Sequence, residues 1–466
     1  MTTPVLKPLA IVLIAVLATP ALAAAASQLP APEKIVLKNG MTVYYLKNSD
    51  LPVVSFRMVV RGAGSAFEPA GADGTANLAA ALLMKGTAKM DADAVAEALD
   101  FMGASLSISA ADEYAQVSGD SLAQHFPRLM EIAAGCLTGP SFKDEEFAKE
   151  RARRIDSLKA AKDNPAAAVR SYFRKAYFGG HPLGHLAAGT ESSLKAMTVK
   201  DVKAFYAARF RPDRAIAAIV GDIDRPALVA LLESTLGLWR NPPGAAPSDA
   251  IPPLPRPRGK TFLLIDKPDA TQAYFVLGSP GYAMGDKVTA PATVMNTLWG
   301  GRFTSWLNSE LRIKRGLTYG ASSMLLTWAP GGVFQAASYT KNDKIGEMLD
   351  LTFGLLVKGA KEGFGAEEVE SGRNYIQGQF PPTLETNASK AGAYARLAFY
   401  KVGFDYYDKY LAAIGKVSAA EAKAAAEALL PKGDYVLVVV GKAADIRSQL
   451  QKFGTWQERK ITDPGF

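Results

Sequence analysis

The sequence predicts an α+β protein built from two homologous domains, each an α/β sandwich in which helices cover a sheet. Three observations lead to this class. The chain has 466 residues, more than one ordinary hydrophobic core accommodates. Short strand patterns alternate with longer helical patterns, and the patterns at the end of the first half return in the second half. The composition, 48% hydrophobic and 21% charged, is that of a globular protein.

The first half opens with strand patterns, recognised by β-branched residues and by alternation of apolar with polar positions. These patterns cover residues 41–47, 53–62, 105–110 and 113–120. Helical patterns cover residues 75–85 and 91–102, and a long helical block covers residues 123–178. The stretches TVKDVKAFYAARF and AIAAIVGD, a helix and a strand, then close the unit.

The end of this unit is repeated in the second half. Thr198 and Ser418 each begin a helical pattern as N-cap residues with an acid three positions later, and they lie 220 positions apart (418 minus 198). The strands that follow end at Gly221 and Gly441, again 220 positions apart (441 minus 221). This period is too long for a solenoid and indicates two copies of one α+β domain.

The segment between the copies, NPPGAAPSDAIPPLPRPRGK, is rich in proline and predicts a semi-extended, exposed linker. Two similar domains on such a linker are expected to close face to face in a clamshell-like arrangement. The predicted order is a signal peptide at 1–23, an N-terminal domain at 33–238, the linker at 239–260, a C-terminal domain at 261–446 and a C-terminal tail at 447–466.

The start of the chain predicts export. A positive beginning with Lys7, an apolar run at 9–17 and the small-residue ending ALA form a secretory signal peptide cleaved near Ala23. No other apolar run approaches about 18 residues, so we expect no membrane association after cleavage. Cys136 is the single cysteine, which excludes an internal disulfide and a lipid anchor at the cleavage region. A bacterial periplasm fits these features best.

The charge of the chain gives little indication of a partner. The formal net charge is +8, from 53 basic and 45 acidic residues. The basic residues are interleaved with acids in stretches such as KDEEFAKERARRIDSLKAAKD, which is typical of a solvated helix face. Because no basic stripe with aromatic residues and no nucleic-acid motif is present, we expect no nucleic-acid partner.

Several stretches, taken in order, resemble one known family. They are LKNGMTVYYLKNS (37–49), KGT (85–87), ERARRIDSLKAAKDNP (150–165), FGGHPLGHLAAGT (178–190) and LNSELRIKRGLTYG (307–320). Together they resemble the insulinase/pitrilysin family of zinc peptidases, in particular its two-domain, processing-peptidase-like branch. The resemblance covers nearly the whole mature chain. It implies two related domains, proteolysis of peptides by a metallopeptidase, and substrates that bind as an added β-strand.

The stretch TANLAAALLMKGT (75–87) occupies the place of the helix that carries H-x-x-E-H in active members. There, two histidines four positions apart grip one Zn²⁺, and the glutamate between them is the general base. Counted back from KGT, the resemblance puts the histidines at Asn77 and Ala81 and the glutamate at Ala80. It puts the third ligand at Ser157. The chain is therefore expected to bind no metal and to be inactive alone.

The three histidines of the chain do not predict a metal site elsewhere. His125 lies in a helical pattern with no second ligand nearby, so a structural role is the simpler interpretation. His181 and His185 are four positions apart, but Pro182 and Gly184 between them predict a loop instead of one helix face. Because some members of the family divide the work between two chains, the resemblance implies that a partner subunit carries the zinc.

Arg312 and Tyr319, seven positions apart in ELRIKRGLTYG, match an arginine and a tyrosine that the second domain of active members supplies. The resemblance implies that Tyr319 donates a hydrogen bond to the scissile carbonyl oxygen and that Arg312 binds substrate backbone carbonyls. Without the resemblance, Tyr319 would be a half-buried strand tyrosine and Arg312 an exposed helix-end arginine. Arg315, in the same loop, predicts a solvated or packing charge.

A glycine pair and a tryptophan precede this motif in WGGRFTSWLNSELR. Two related branches contact substrate with a glycine-rich segment near here, so Gly300 and Gly301 are candidates for substrate binding. A helix end followed by a turn is the equal alternative. Trp306 stands where many relatives have an arginine, a departure that leaves the Arg312–Tyr319 spacing intact.

These features favour a zinc-less, non-catalytic subunit of a heterodimeric periplasmic zinc metalloendopeptidase. A homologous zinc-bearing subunit would supply H-x-x-E-H, and this chain would supply Arg312 and Tyr319 to extended or unfolded peptides. Two alternatives stay open. One is a structural or scaffold subunit without catalytic contribution, and the other is a peptide-binding pseudopeptidase that acts as a homodimer. The retained pair argues against the scaffold alternative.

Overall fold

The computed structural model describes residues 29–463, so the predicted signal peptide at 1–23 lies outside the described residues. The strands of the first half are β1 Glu33–Val36, β2 Thr42–Lys47, β3 Val53–Arg61, β4 Ser105–Ala110, β5 Tyr114–Leu122 and β6 Ala215–Gly221. Its helices are α1 Thr75–Leu83, α2 Ala92–Met102, α3 Phe126–Thr138, α4 Asp144–Asp163, α5 Pro165–Phe178, α6 Glu191–Ala196, α7 Val199–Arg209 and α8 Arg225–Ser234.

The second half follows the same plan. Its strands are β7 Lys260–Asp266, β8 Gln272–Pro280, β9 Ala321–Trp328, β10 Gly331–Lys341, β11 Tyr435–Gly441 and β12 Gln457–Lys460. Its helices are α9 Thr289–Asn296, α10 Trp306–Asn308, α11 Ile345–Glu362, α12 Ala366–Gln379, α13 Asn387–Phe399, α14 Tyr406–Lys416, α15 Ala419–Leu429 and α16 Ala443–Leu450. Two π-helical segments, Thr297–Gly301 and Ser309–Lys314, lie around α10.

Within residues 29–463 the strands form two six-stranded mixed sheets of equivalent order, β1-β2-β6-β3-β5-β4 and β12-β7-β11-β8-β10-β9. In each sheet the central strand, β6 or β11, runs parallel to one neighbour and antiparallel to the other. The α+β class and the internal duplication predicted from the sequence are therefore confirmed. One edge differs, because β12 comes from the segment predicted as a tail and pairs parallel with β7, whereas β1 pairs antiparallel with β2.

The helix starts predicted at the repeat are present. Thr198 and Ser418 each form a capping box with the acid three positions later, and the backbone N–H groups of both residues donate to that acid at 2.8 Å. The helical block expected over residues 123–178 divides into α3, α4 and α5. The last division lies at Asn164, whose side chain caps α5 by accepting from the N–H of Ala166 at 3.0 Å.

One helix of each half packs against the sheet of the other half. α5, from the first half, packs on β8 and β11, where Phe173 joins a buried cluster with Val438. α13, from the second half, packs on β3 and β6, where Tyr394 joins a buried cluster with Val220. The opposite face of each sheet carries the hydrophobic core of its own half.

This exchange explains the composition of the central strands. Because both faces of each sheet are covered, β6 and β11 are buried at almost every position and read as nearly continuous apolar runs, AIAAIVG and YVLVVVG. The sequence predicted that two domains meet face to face. In the structure the exchanged helices join them and bury the sheet faces between them.

Salt bridges and hydrogen bonds hold the proline-rich linker against the first half. Asp249 forms salt bridges with Arg61 at 2.9 Å and with Arg214 at 3.0 Å. Arg211 donates to the carbonyl oxygens of Pro242 at 3.4 Å and Gly244 at 3.3 Å. The linker contains no regular helix or strand before β7, as the proline pattern predicts.

The turn between β4 and β5 makes polar contacts across the two halves. The carboxylate of Asp112 accepts from Nε1 of Trp328 at 2.8 Å, and that of Glu113 accepts from the N–H of Ala329 at 2.9 Å. Glu113 also accepts from the hydroxyl of Tyr400 at 2.8 Å, and burial raises the pKa values of both side chains. These hydrogen bonds fix the orientation of the two halves, which the apolar contacts of the exchanged helices alone do not specify.

None of the helices between residues 29 and 463 combines the length and the apolar character needed to cross a membrane.

A methyl group at position 278 is expected to disturb the packing of α5 against β8. An added Cβ there would lie 2.3 Å from Cζ of Phe173, whose ring is almost fully buried. We predict that Gly278→Ala lowers the free energy of unfolding by about 1–3 kcal/mol, because overpacking forces the ring or the strand to shift. Urea unfolding measures the change.

The matched control is Gly433→Ala, because an added Cβ there meets no atom within 4 Å. The double variant Gly278→Ala/Phe173→Leu is expected to lose less stability than the two single changes together, since the smaller side chain makes room for the methyl group. Equal stability of Gly278→Ala and Gly433→Ala would show that the close approach of α5 to the second sheet does not constrain this glycine.

Candidate functional site

The start of α1 is built on buried carboxylates. Gly74 precedes the helix with φ of 95°, a left-handed conformation that favours glycine. The carboxylate of Glu68 accepts from the backbone N–H groups of Gly74 at 3.0 Å and Ala76 at 2.8 Å. It therefore satisfies donors that the first turn of a helix leaves free.

The three positions of the expected zinc motif on α1 offer no free metal ligand. Nδ2 of Asn77 donates to the carbonyl oxygen of Ala187 at 2.9 Å, and its Oδ1 accepts from the N–H of Ala110 at 3.3 Å. Ala80 is fully buried and Ala81 partly buried, and neither has a polar side-chain atom. The side chain of Asn77 thus connects α1 to a loop and to β4.

The fourth expected position, Ser157 on α4, is exposed, and its hydroxyl donates to the carbonyl oxygen of Arg153 at 2.8 Å. One turn earlier, Arg154 donates to the carbonyl oxygen of Asn77 at 3.0 Å. Burial lowers the pKa of Arg154, whose Nε has no partner among the described residues. A guanidinium cation is therefore placed on the turn of α1 where the family's motif would begin.

Within residues 29–463 one group of side chains has the residue types of a metal site, Glu68, Asp73 and His185, with ligand atoms within 4.8 Å of one another. These atoms are already used. Both oxygens of Glu68 accept from α1, while Asp73 pairs with Lys175 at 2.5 Å and with Nδ1 of His185 at 2.7 Å. The group therefore does not fit a Zn²⁺ site, whose ligand atoms must be free to bind the metal.

The two histidines of the HPLGH stretch do not converge. Nε2 of His181 lies 3.1 Å from the carbonyl oxygen of Pro252 in the linker, whereas His185 turns to Asp73. His125 lies beside Gln124, with 3.3 Å between their side-chain nitrogens. Each histidine thus has a contact of its own.

The pKa values of the two carboxyl groups at the start of α1, Glu68 and Asp73, are shifted in opposite directions. Burial raises the pKa of Glu68 to about 8, in spite of the two backbone hydrogen bonds that favour its charged form. Burial also acts to raise the pKa of Asp73, but hydrogen bonds from His185 and Lys175 outweigh it and hold that pKa below its usual range. The first turn of α1 therefore packs on one carboxyl that ionises with difficulty and one that ionises readily.

The loop that carries Arg312 and Tyr319 begins in the π-helical segment after α10. The wider winding is visible in the hydrogen bond from the N–H of Arg315 to the carbonyl oxygen of Glu310, at 3.1 Å. The loop brings the two predicted residues together, because Cζ of Arg312 lies 4.3 Å from the centroid of the Tyr319 ring. A second ring, that of Phe303, lies 4.7 Å from the same atom.

The polar groups of this pair are left without partners. Tyr319 is 76% exposed, and neither its hydroxyl nor the guanidinium of Arg312 makes a hydrogen bond or ion pair with residues 29–463. The neighbouring cations differ, because Lys314 and Arg315 both pair with Glu310, at 3.2 Å and 3.0 Å. Arg312 is thus the cation of this loop that remains available to a ligand.

The glycine pair lies in the π-helical segment Thr297–Gly301. An added Cβ at Gly300 would lie 2.4 Å from Oγ of Ser323, and one at Gly301 would lie 2.8 Å from Nδ2 of Asn296. Close packing within the second half accounts for both glycines, and their role in substrate binding stays a prediction. Trp306 packs on Phe364 with ring centroids 4.5 Å apart, and its Nε1 donates to Glu368 at 2.7 Å.

Two residues of these sites were missed from the sequence, Phe303 and Arg154. Phe303 precedes the Arg312–Tyr319 motif in a loop with no periodic pattern, and Arg154 lies in a run of charges that reads as a solvated helix face. A phenylalanine two residues after the glycine pair is the one available sequence signal for Phe303. Arg154 has no signal in the sequence.

The edge strand β4 lies beside α1. Among the described residues β4 pairs with β5 alone, so its other side presents unpaired backbone groups. Asn77 binds the N–H of Ala110 at the end of this strand, which fixes α1 and the open edge to each other. An extended peptide could pair with such an edge.

The raised pKa of Glu68 predicts how stability depends on pH. Between pH of about 4.5 and about 8 the folded protein holds a proton on Glu68 that the unfolded chain releases, so the free energy of unfolding falls as pH rises through this window. We predict that Glu68→Gln removes up to about 1.4 kcal/mol of this decrease per pH unit. Urea unfolding at several pH values measures it.

The control for this prediction is Glu131→Gln, since Glu131 is an exposed glutamate paired with Arg128 on α3. That variant is expected to keep the pH slope of the unmodified protein. If Glu68→Gln and the unmodified protein show parallel dependence of stability on pH, Glu68 is not the group that titrates in this range.

Two sequence models of one family match consecutive parts of the chain. The sequence model of Insulinase (Peptidase family M16) matches residues 42–191, and that of the Peptidase M16 inactive domain matches residues 196–376. A protein of Mycobacterium tuberculosis H37Rv named uncharacterized zinc protease is 27% identical over 426 residues, which are 91% of this chain and 96% of that protein. A protein of the same name from Bacillus subtilis is 23% identical over 358 residues, 77% of this chain and 86% of that protein.

Solved structures share the fold. The crystal structure of a peptidase M16 inactive domain from Pseudomonas fluorescens superimposes with a TM-score of 0.82 at 24% identity, over 88% of this chain and 97% of that chain. A protease from Helicobacter pylori superimposes with a TM-score of 0.83 at 21% identity, over 88% of this chain and 99% of that chain. With the two matching sequence models and the relatives named zinc proteases, these similarities show that the chain belongs to the insulinase family of peptidases, M16, as a peptidase-like protein.

Proposed function

We propose that this chain is the zinc-less subunit of a heterodimeric metallopeptidase and that it supplies Arg312 and Tyr319 to the substrate site. One observation carries the proposal. The loop holds Arg312 against Tyr319 with both polar groups free, while Asn77, Ala80 and Ala81 leave α1 without metal ligands. These observations support the proposal that the chain contributes one half of a peptidase site and lacks the other half.

The chemistry of the pair fits peptide-bond cleavage. A tyrosine hydroxyl donates a hydrogen bond to a carbonyl oxygen more strongly as that oxygen gains negative charge, so Tyr319 would stabilise the transition state more than the ground state. Arg312 would bind substrate backbone carbonyls with its planar fork of N–H donors. No acid among the described residues competes for that fork, whereas Glu310 occupies Lys314 and Arg315.

The proposal assigns zinc to the partner. The expected positions on α1 and α4 carry no free ligand, Arg154 places a cation against Asn77, and Glu68, Asp73 and His185 are bound to the protein itself. Relatives of this chain are named zinc proteases. A homologous subunit that carries H-x-x-E-H would therefore complete the site, and the unpaired edge of β4 would favour extended or unfolded peptides.

The periplasm is the proposed location. This rests on the signal peptide predicted at residues 1–23, which lie outside the described residues, and on the single cysteine of the chain. Cys136 is buried, and burial raises the pKa of its thiol to about 11, so the chain needs no reducing environment to protect a reactive thiolate.

A scaffold or peptide-binding role without catalytic contribution is the second candidate. The complete burial of Ala80 favours it, since this part of α1 is packed as core and is not a side of an open cleft. The two candidates differ in what the loss of the Tyr319 hydroxyl does to the activity of the complex.

We predict that the purified mature chain binds no stoichiometric zinc. The reason is that every carboxylate and imidazole of the Glu68–Asp73–His185 group already has a protein partner. Elemental analysis after dialysis against zinc measures it. Bound zinc that is lost in His185→Ala would contradict the prediction and move the metal site to this group.

In a 1:1 complex with a zinc-bearing homologue, Tyr319→Phe is predicted to lower kcat by about 10²–10³, the cost of one donor to an oxyanion. Arg312→Ala is predicted to raise KM about 10- to 100-fold through the loss of charge-assisted hydrogen bonds. Steady-state cleavage of an unstructured peptide measures both. The matched control is Arg315→Ala, three residues from Arg312 and paired with Glu310, which is expected to stay within about twofold.

Full activity after both Tyr319→Phe and Arg312→Ala would refute the catalytic role and leave the scaffold candidate. Peptide binding by the chain alone, without any zinc-bearing subunit, would instead favour the peptide-binding homodimer.

A further inference from the structure

Phe303 is an exposed aromatic side chain with a specific contact. It is 59% exposed, and Cζ of Arg312 lies 4.7 Å from the centroid of its ring. Tyr319 lies 4.3 Å from the same atom. Two rings therefore attract one guanidinium through their electron-rich faces, an interaction that persists at exposed sites.

One buried amide links the backbone segments that carry the two rings. Nδ2 of Asn308 donates to the carbonyl oxygen of Phe303 at 2.7 Å, and its Oδ1 accepts from the N–H of Ala321 at 3.3 Å. Ala321 follows Tyr319 by two residues and begins β9. Because Asn308 is almost fully buried, its side chain sets the separation between the backbone at Phe303 and the backbone beyond Tyr319.

This arrangement determines how Arg312 is presented. A long, exposed arginine normally loses much rotamer entropy when it binds a ligand. Here the rings hold the guanidinium in place, while its N–H donors have no acceptor among residues 29–463. An acid would also fix the arginine, but it would occupy the same donors, as Glu310 does for Arg315. Aromatic rings fix the cation and leave the donors free.

We propose that Phe303 is a positioning residue that orients Arg312 for backbone carbonyls of the peptide substrate. The proposal rests on the function proposed above for Arg312 and Tyr319. It makes the Phe303–Arg312–Tyr319 group one binding surface, in which Phe303 acts through the arginine. Because Arg312 binds the ground state and the transition state alike, the loss of Phe303 changes KM and not kcat.

The test in the complex uses side chains of graded character at position 303. Phe303→Ala and Phe303→Leu are expected to raise KM about two- to fivefold with kcat unchanged, whereas Phe303→Tyr keeps the KM of the unmodified protein. Leucine keeps apolar bulk without an electron-rich face. Incorporation of 3,4,5-trifluorophenylalanine keeps the shape of the ring and removes its negative face, so it is expected to resemble leucine.

Outcomes of this series separate two failures. If Tyr319→Phe and Arg312→Ala lower activity as predicted, but Phe303→Leu and the trifluorinated ring leave KM unchanged, the positioning role is wrong and the proposed function stands. If Tyr319→Phe and Arg312→Ala have no effect, the proposed function itself is wrong.

A second measurement needs no partner. In the isolated chain labelled at arginine, the side-chain NMR signals of Arg312 are expected to be shifted by ring currents and to lose part of that shift in Phe303→Leu. The signals of Arg315, which pairs with Glu310, serve as the internal control. Arg312 signals at the position of a free arginine, unchanged in Phe303→Leu, would overturn the proposal irrespective of any peptidase activity.

Discussion

The reciprocal packing of α5 and α13 is the contact on which the rest of the structure depends. It covers the second face of each sheet, and it therefore permits β6 and β11 to be apolar throughout. It also reaches the candidate site, because Lys175 on α5 pairs with Asp73 at the start of α1. A salt bridge thus connects α5, which packs on the second sheet, to the start of α1, where the family's zinc motif would lie.

Contacts within the protein hold α1 in place. In a zinc site the ion itself orders its ligands and contributes free energy to folding. Here Glu68 caps the first turn, Asn77 binds a loop and an edge strand, and Arg154 binds the helix from outside. Protein hydrogen bonds and salt bridges supply the order, and the small side chain of Ala80 completes the core without a buried charge.

The fold was largely predictable from local patterns, and the contacts between distant segments were not. N-cap residues and strand alternation gave the two helix starts at Thr198 and Ser418 and the strands that follow them, since these depend on neighbours in the chain. An apolar stripe on α5 shows that one face is buried, but it does not show which sheet covers that face. The resemblance identified Arg312 and Tyr319 but not their contact with each other, and the Phe303 contact depends on the side chain of Asn308, whose partners lie 5 and 13 residues away in the chain.

The distribution of partners in the Arg312 loop argues for function at this surface and not at α1. A tyrosine that is mostly exposed and makes no hydrogen bond in the described part of the chain adds little to stability, and an unpaired arginine adds little more. The same loop neutralises its other two cations with Glu310, so free charge is not a general property of the segment. The rings of Phe303 and Tyr319 contact the guanidinium of Arg312, and its N–H donors have no acceptor in the described part of the chain. Such a group is complementary to carbonyl or carboxylate oxygens, which agrees with the substrate-binding role proposed for Arg312.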